Sequence, residues 1–246
     1  MNYTSACSIR SSSRAPETPV VFVVDSDAAV RESLEELIRS AGWQPRTAAS
    51  AEQFLAGPRV SAPSCLLVEL RLPGLSGLDL QRLVLDRTEM PVMFMSGHVD
   101  IPATVQAMRS GALEFLTKPF VGDVLLHAIR HAIERSRATL QHLRQIRVLQ
   151  ERYELLSRRE RDVMRLVVCG RLNKQVGGEL GISEITVKAH RGKLMRKMQA
   201  SSLAQLVNLA ASLRGGFSGD YPGWQPDAEG ASATTVSAAQ FQVPAM

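Results

Sequence analysis

The chain is poor in cysteine, aromatic residues and long apolar runs. It has three cysteines among 246 residues, and their spacing follows no disulfide framework or zinc-ligand pattern. No apolar run reaches the roughly 18 residues that cross a bilayer, and the Ser-rich N-terminus lacks the apolar segment of a secretory signal. We therefore expect a cytoplasmic protein that has no membrane partner.

Acidic residues are scarce in one segment of the chain. Residues 157–199 contain eleven Lys and Arg against four Asp and Glu, a net charge of +7, whereas the whole chain has a net charge of +5. A basic excess concentrated in this way is typical of a nucleic-acid-binding module. The alternative, a solvated basic face, would be favoured if the segment had no DNA-binding motif.

Between residues 20 and 135, apolar runs alternate with amphipathic patterns. The apolar runs predict strands at 20–25, 43–48, 64–69, 91–95 and 113–116. The amphipathic patterns predict helices at 28–41, 50–55, 78–87, 101–109 and from 121 onward. This alternation predicts an α/β fold with a doubly wound five-stranded parallel sheet that is covered by helices on both faces.

Polar residues stand at the ends of four of these strands, where such sheets bind ligands. They are Asp25 with Ser26, Glu69, Ser96, and Lys118 with Pro119. Carboxylates, a hydroxyl group and a lysine at one rim suit a phosphoryl group and a divalent cation. Each residue alone has an ordinary structural role, such as a helix cap or a turn, and it is their joint occurrence that favours a site.

Residues 20 to about 135 resemble the receiver domain of bacterial two-component response regulators. The resemblance rests on Val21-Phe22-Val23-Val24-Asp25, Arg71-Leu72-Pro73-Gly74-Leu75-Ser76-Gly77-Leu78-Asp79-Leu80, Ser96-Gly97-His98 and Phe115-Leu116-Thr117-Lys118-Pro119-Phe120. It implies that Lys118 neutralises a bound phosphoryl group and that the Lys118–Pro119 bond is cis. It also implies that Phe115 is a switch residue, which turns inward when Ser96 moves onto the phosphoryl group.

Two positions of the acidic pocket formed by Asp25, Ser26 and Glu69 depart from the family. By resemblance, Ser26 replaces an acid that ligates Mg²⁺, and Glu69 replaces the aspartate that accepts the phosphoryl group. Mg²⁺ requires near-octahedral oxygen ligands, and misplacing a reacting atom by about 1 Å can cost roughly 10²-fold in rate. We therefore expect weak or absent Mg²⁺ binding, no other metal or cofactor, no enzymatic activity and no phosphorylation of Glu69.

The longer side chain of Glu69 leaves two interpretations open. Its carboxylate could reach Lys118 and Ser96 and imitate part of the charge of a phosphoaspartate. Alternatively, the receiver is inert and serves as a scaffold or dimerisation unit. A carboxylate has two oxygens and about one charge, whereas a phosphoryl group has three oxygens and up to about two charges, so any imitation is partial.

Residues 122 to about 153 are predicted to form one long helix. Its apolar residues recur at alternating spacings of three and four, as in a coiled-coil seam. This spacing favours a homodimer in which two such helices pair. The alternative is a single amphipathic linker that packs on its own domain.

Residues 155–213 carry a pattern that predicts four helices. The first begins with the capping-box spacing of Ser157 and Glu160, the second covers 173–180, the third is capped by Ser183 and runs to about 198, and the fourth covers 202–213. A short helix, a Gly-containing turn and a longer basic helix predict an all-α helix-turn-helix domain.

This segment resembles the LuxR-type helix-turn-helix output domain through Asn173-Lys174-Gln175-Val176, Leu180-Gly181-Ile182-Ser183 and Thr186-Val187-Lys188-Ala189-His190. The resemblance implies binding to double-stranded DNA, with Thr186 and His190 near phosphates. Lys188, Ala189 and Arg191 are expected near base edges. The predicted DNA-contacting residues are Asn173, Lys174, Ser183, Thr186, Val187, Lys188, Ala189, His190, Arg191 and Lys193.

Two further expectations concern packing in this domain. The apolar residues of its third helix are assigned to the inner face, with the reservation that Val187 could also touch DNA; they are Ile185, Val187, Leu194, Met195 and Met198. Gly177-Gly178 departs from the family's preference for alanine at the first of these positions. Because glycine in a helix interior costs about 1 kcal/mol, the second helix is expected to be weakened.

The predicted organisation is a disordered tail (1–18), a receiver (19–135), a helical linker (136–154), a LuxR-type domain (155–213) and a second disordered tail (214–246). The predicted function is that of a DNA-binding transcriptional regulator whose receiver does not depend on phosphorylation. Two alternatives are a decoy that antagonises an intact regulator by heterodimerising with it, and a conventional regulator controlled by a phosphorelay. The expected partners are double-stranded DNA, a second copy of the chain, and a histidine kinase or an intact response regulator.

Overall fold

A computed structural model describes residues 17–98 and 100–216 of the chain. These residues divide into two compact units, the first ending at Gln145 and the second beginning at Ile146. The predicted disordered tails fall almost entirely on residues 1–16 and 217–246, which lie outside the described residues.

The first unit is an α/β domain with one parallel sheet. Its elements are β1 (Val20–Val24), α1 (Ala28–Ser40), β2 (Gln44–Ala48), α2 (Ala51–Ala56), β3 (Ser64–Glu69), α3 (Gly77–Leu83), β4 (Val92–Ser96), α4 (Ile101–Arg109), β5 (Glu114–Thr117) and the start of α5 (Gly122–Glu154). The strand order is β2-β1-β3-β4-β5, and all four strand pairs are parallel. The predicted doubly wound five-stranded sheet is confirmed.

The central strands β1, β3 and β4 are buried along their whole length. Alternate residues enter different cores, because successive side chains of a strand point to opposite faces of the sheet. Phe22 and Leu66 pack in the core that includes α2, α3 and α4 residues, whereas Val21 and Leu67 pack in the core that includes α1 and α5 residues. Burial on both faces explains why these strands are continuous apolar runs.

The sequence-based prediction of α3 is wrong at its end, since the helix stops at Leu83 and not at Arg87. Val84 and Met90 are both buried in the core. The chain reaches this arrangement through successive turns, in which Arg87 N–H donates to the Val84 carbonyl and Met90 N–H donates to the Arg87 carbonyl, both at 2.9 Å. Packing of two apolar residues therefore outweighs continuation of the helix.

The second unit is helical. It contains the end of α5, α6 (Arg158–Val168), α7 (Asn173–Leu180), α8 (Glu184–Met198) and α9 (Leu203–Gly216). The side chain of Ser183 caps α8 by accepting a hydrogen bond from the Thr186 N–H. The last helix continues three residues beyond the predicted end at Leu213.

Gly177 has a packing role that the sequence analysis did not include. It is buried in α7, and a Cβ atom at this position would lie 2.7 Å from the carbonyl oxygen of Ile182. Glycine therefore allows α7 to approach the turn that leads into α8. Gly178 faces open space. It therefore lowers the stability of α7 by about 1 kcal/mol relative to alanine without allowing any close packing in return.

An ion pair between the partly exposed Lys197 and the buried Glu160 joins α6 to α8. Glu160, which forms the predicted capping box with Ser157, accepts hydrogen bonds from the Ser157 N–H at 2.8 Å and from Lys197 Nζ at 2.6 Å. Burial alone raises the pKa of the Glu160 carboxyl, but Lys197 and Ser157 lower it by more, so that the pKa lies below its ordinary value of 4.5. The pair therefore stabilises the fold above pH 4.5 and loses this contribution as the pH falls through the folded-state pKa.

Replacing Lys197 by methionine should lower the free energy of unfolding by about 2 kcal/mol, because the nearly buried Glu160 carboxylate loses a charge-assisted hydrogen bond. Urea unfolding followed by circular dichroism at pH 7 measures this change. Lys193→Met is the matched control, since it makes the same substitution at an exposed position of the same helix. Equal stability of the two variants would show that the pair does not stabilise this unit.

Candidate functional site

The polar rim of the first unit is formed at the carboxyl ends of neighbouring strands. Glu69 is the last residue of β3, and Asp25 directly follows β1. These strands are adjacent, with Val24 opposite Val68, so the two carboxylates face the same edge of the sheet. Lys118 follows β5, and its long side chain reaches both of them.

Lys118 is bonded to both carboxylates. Its Nζ lies 2.6 Å from Asp25 Oδ2 and 2.5 Å from Glu69 Oε2. The Asp25 side chain is 2% exposed, that of Glu69 is 12% exposed and that of Lys118 is 20% exposed. Partial burial by itself lowers the pKa of Lys118, but the hydrogen bonds and charges of Asp25 and Glu69 raise it by more. The lysine therefore stays charged at neutral pH, and all three side chains are held in one cluster.

The Lys118–Pro119 peptide bond is cis, as the resemblance implies. The backbone N–H of Lys118 donates to the Ser96 carbonyl at 2.8 Å. This hydrogen bond ties the loop after β5 to the end of β4. It places the lysine beside the acidic pocket.

The loop after β1 supplies no second carboxylate to the pocket. Ser26 is exposed. Asp27 is used as the N-cap of α1, where its side chain accepts a hydrogen bond from the Ala29 N–H at 2.9 Å. Arg31 Nη1 donates to the carbonyls of Asp25 at 2.7 Å and Ser26 at 3.0 Å. This role of Arg31 was missed by sequence reasoning, because no motif connects a helical arginine to two carbonyl groups in the preceding loop.

These residues do not fit a Mg²⁺ site of the kind that the fold family implies. The pocket has two carboxylates, and Lys118 is bonded to an oxygen of each. In the parts of the chain that the structure describes, no three His, Cys, Asp or Glu side chains are grouped so that they could hold a metal ion. Since Mg²⁺ needs several oxygen ligands in near-octahedral geometry, a site whose carboxylates already hold an ammonium group is poorly suited to it.

Ser96 and Phe115, the residues assigned to the switch, are bonded to or stacked on residues other than Glu69. The Ser96 side chain is buried, and its Oγ donates to the His98 carbonyl at 3.0 Å. The ring of Phe115 stacks on that of Phe94, with 6.4 Å between the ring centroids and 23° between the planes. The structure therefore brings together Glu69, Asp25 and Lys118, and it leaves the Ser96 hydroxyl in a separate hydrogen bond.

In the second unit, α8 has a distinct outer face. Its exposed residues are Glu184, Ile185, Lys188, Ala189, Gly192, Lys193 and Arg196, and those from Ile185 onward follow helical spacing. Val187, Leu194 and Met198 are buried on the inner face. The exposed residues carry three positive charges against the one negative charge of Glu184, a basic excess of the kind that a helix approaching DNA phosphates requires.

Two predictions about α8 are wrong. Val187 is fully buried in the core of this unit, so it cannot contact DNA. Ile185, which was assigned to the inner face, is 79% exposed. The reason is helical phase: two residues at 100° per residue are about 200° apart around the helix axis, so Ile185 and Val187 cannot share a face.

Several predicted DNA-contacting residues form hydrogen bonds or ion pairs within the second unit. Ser183 Oγ and Thr186 Oγ1 share a hydrogen bond of 2.8 Å, and Lys188 Nζ lies 3.1 Å from Glu184 Oε1. Among the other predicted positions, one further pair is hydrogen-bonded, two lysines are exposed and one histidine is partly buried. Arg191 Nη1 donates to Asn173 Oδ1 at 3.1 Å, Lys174 and Lys193 are exposed, and His190 is partly buried.

An α/β unit whose acidic rim is closed by a lysine, followed by a unit with an exposed basic helix, defines a two-domain DNA-binding regulator. Comparison with known families agrees with this class. The family model described as response regulator receiver domain matches residues 21–130. The model described as bacterial regulatory proteins of the luxR family matches residues 154–210.

Characterised relatives match both units together. Nodulation protein W of Bradyrhizobium diazoefficiens is 46% identical over 195 residues, which are 79% of this chain and 86% of that protein. Response regulator protein TodT of Pseudomonas putida is 43% identical over 196 residues, with the same coverage of both chains. The solved structure of response regulator StyR is 42% identical, with a TM-score of 0.69, and the match covers 79% of this chain and 98% of that one.

The chain therefore belongs to the response regulators that join a receiver domain to a LuxR-type DNA-binding domain. Members of this family are transcriptional regulators. In the described part of the chain, no helix is both long enough and apolar enough to cross a bilayer.

Proposed function

We propose that this transcription factor binds its DNA sites without phosphorylation of its receiver. The observation that supports this proposal is the ion-pair cluster, in which Lys118 lies 2.5 Å from Glu69 and 2.6 Å from Asp25. In a phosphorylated receiver this lysine would neutralise the phosphoryl group. Here Lys118 is already paired with two carboxylates of the chain, those of Asp25 and Glu69.

The chemistry of the pocket supports the same proposal. Glu69 moves the attacking oxygen by one methylene, and the Ser26 hydroxyl brings no negative charge for a metal. Phosphoryl transfer is catalysed almost entirely by positioning and by neutralisation of charge through Mg²⁺. A pocket that lacks both the usual nucleophile and one metal-binding carboxylate can neither position the reacting groups well nor neutralise their charge through Mg²⁺.

Of the two interpretations of Glu69, the contacts favour an inert scaffold over an imitation of the phosphorylated state. Imitation would require Ser96 to move onto the Glu69 carboxylate. The Ser96 hydroxyl is instead bonded to the His98 carbonyl. We therefore expect Glu69→Gln to change DNA affinity by less than about a few tenths of a kcal/mol, which is less than about twofold.

We further propose that the chain acts on double-stranded DNA as a homodimer. The long helix α5 offers the exposed side chain of Leu143 to a second copy, whereas Leu149, further along the same apolar spacing, packs in the core of the second unit. Two half-sites bound by two copies of α8 would follow from such a dimer. A histidine kinase remains a partner only in the phosphorelay alternative.

Affinity for DNA should not respond to a phosphoryl donor. Selection from random duplexes by the full-length protein, without donor, should enrich a motif with two half-sites. The dissociation constant for the selected duplex should then agree within about twofold with and without acetyl phosphate and Mg²⁺, because the receiver has one state. Fluorescence anisotropy at fixed salt measures both values, and sedimentation of the same samples gives the oligomeric state.

Two outcomes would contradict this proposal in different ways. A tenfold gain in affinity with donor would support the conventional phosphorelay alternative. Absence of any enriched motif, together with loss of DNA binding by an intact response regulator when the two proteins are mixed, would support the decoy alternative. Glu69→Gln, run in parallel, tests whether the charge at this position sets the affinity.

A further inference from the structure

Ile185 is the most exposed large apolar side chain among the described residues, at 79%. Single exposed apolar residues are common on protein surfaces, so exposure alone does not make a site. Its position is more informative. Ile185 is the second residue of α8 and lies on the outer face, one helical turn before Ala189 and beside Lys188.

The polar side chains around Ile185 are engaged with one another. Ser183 and Thr186 share a hydrogen bond, and Glu184 forms an ion pair with Lys188. These contacts leave the isoleucine as the group that projects from the start of the helix. In helix-turn-helix proteins, the N-terminal residues of this helix are the ones that contact base edges in the major groove.

The chemistry of the major groove identifies what an aliphatic side chain can recognise there. The base edges present hydrogen-bond donors and acceptors, and the one apolar group is the C5-methyl of thymine. An isoleucine has no hydrogen bond to offer, and it gains from burial against that methyl group. Ala189, one turn further, is small enough to let the helix lie close to the same bases.

We propose that Ile185 is a specificity-determining residue that contacts the C5-methyl group of a thymine in each half-site. The proposal rests on the DNA-binding function of the family and not on independence from phosphorylation. Donor dependence of binding would overturn the proposed function and leave this inference intact, because the thymine test can then be run with donor present.

The test compares thymine with deoxyuridine, which differs from it only by the absence of the C5-methyl group. Each thymine of the selected duplex is replaced in turn, and the dissociation constants of wild type and Ile185→Ala are measured for every duplex. For wild type, one thymine per half-site should cost about fourfold when replaced, the fold-change that corresponds to one buried methyl-sized group. Ile185→Ala should bind the thymine duplex roughly 16-fold more weakly, because both protomers of the dimer lose the contact, and it should show no further loss with deoxyuridine at that position.

Ile101→Ala is the matched control, since Ile101 is 69% exposed and lies in the receiver. It should leave both affinities unchanged. Thermal unfolding checks that Ile185→Ala folds as wild type does, as expected for an exposed side chain. The proposal is overturned if no thymine position is sensitive in wild type, if Ile185→Ala keeps the full sensitivity, or if the selection shows that the protein has no sequence preference.

Discussion

Replacing Ser26 and Glu69 together by aspartate should allow the receiver to accept a phosphoryl group from acetyl phosphate, whereas the wild-type receiver should stay unlabelled. Ser26→Asp adds a carboxylate directly after β1, beside Asp25. Glu69→Asp shortens the side chain that now lies 2.5 Å from Lys118. Both changes act on the positioning and the metal ligands that phosphoryl transfer needs.

The expected difference in labelling rate is large. Misplacement of the attacking atom by about 1 Å can cost roughly 10²-fold, and loss of a metal carboxylate adds to this. Intact-protein mass spectrometry after incubation with acetyl phosphate and Mg²⁺ measures the labelled fraction. Hydroxylamine should remove the label if it is an acyl phosphate.

Three controls make this result specific. Each single variant should be labelled more slowly than the double variant, because each restores one of two requirements. Ser26→Asn with Glu69→Gln has similar size and no carboxylates at these positions, so it should stay unlabelled. Stoichiometric labelling of the wild-type chain at Glu69 or Asp25 would refute the view that the pocket has lost its chemistry.

Replacing Lys118 by methionine should destabilise the receiver by about 3–5 kcal/mol, because it leaves the buried Asp25 and Glu69 carboxylates without their shared cation. Urea unfolding at pH 7 measures the change. Arg71→Met is the control: it removes an exposed cation of the same rim, which lies 3.5 Å from Asp100. This exposed pair should contribute less than about 1 kcal/mol.

Dependence on pH and a second substitution test the cause of this loss. The pKa of Lys118 is raised above its ordinary value of 10.5, so its contribution is fully present below that pH and is lost as the pH rises through the folded-state pKa. The difference between wild type and Lys118→Met should therefore shrink only in strong alkali. Adding Glu69→Gln to Lys118→Met should recover part of the loss, since one uncompensated charge is removed. A Lys118→Met protein as stable as Arg71→Met would show that the cluster does not hold the receiver together.

The sheet could be predicted from the sequence because a strand that is buried on both faces is a continuous run of apolar residues. β3 spans Ser64–Glu69, as the apolar run indicates. The end of α3 could not be predicted in the same way, because the residues after Leu83 keep an amphipathic pattern while the packing of Val84 and Met90 requires turns. Local pattern and tertiary packing disagree there, and packing decides the structure.

Some features of the candidate sites could be predicted from the sequence and others could not. That Glu69 could reach Lys118 follows from side-chain length, and the structure has this contact. Asp25 also binds Lys118, and this contact could not be predicted in the same way. It depends on the order of the strands in the sheet, which the positions of the strand ends in the sequence do not reveal. The exposure of Ile185 was missed because its apolar character was given more weight than its phase relative to Val187 on α8.

The use of Asp27 as a helix cap has a consequence for how receivers are classified. The loop after β1 reads Asp25-Ser26-Asp27, so it still has two acids. One of them is bonded to the start of α1 and is committed to holding that turn. A survey that counts acids in this loop would score the pocket as intact, whereas one that follows their register along the backbone would not. Retained composition can therefore conceal the absence of an acid from one position when the acids that remain stand at neighbouring positions.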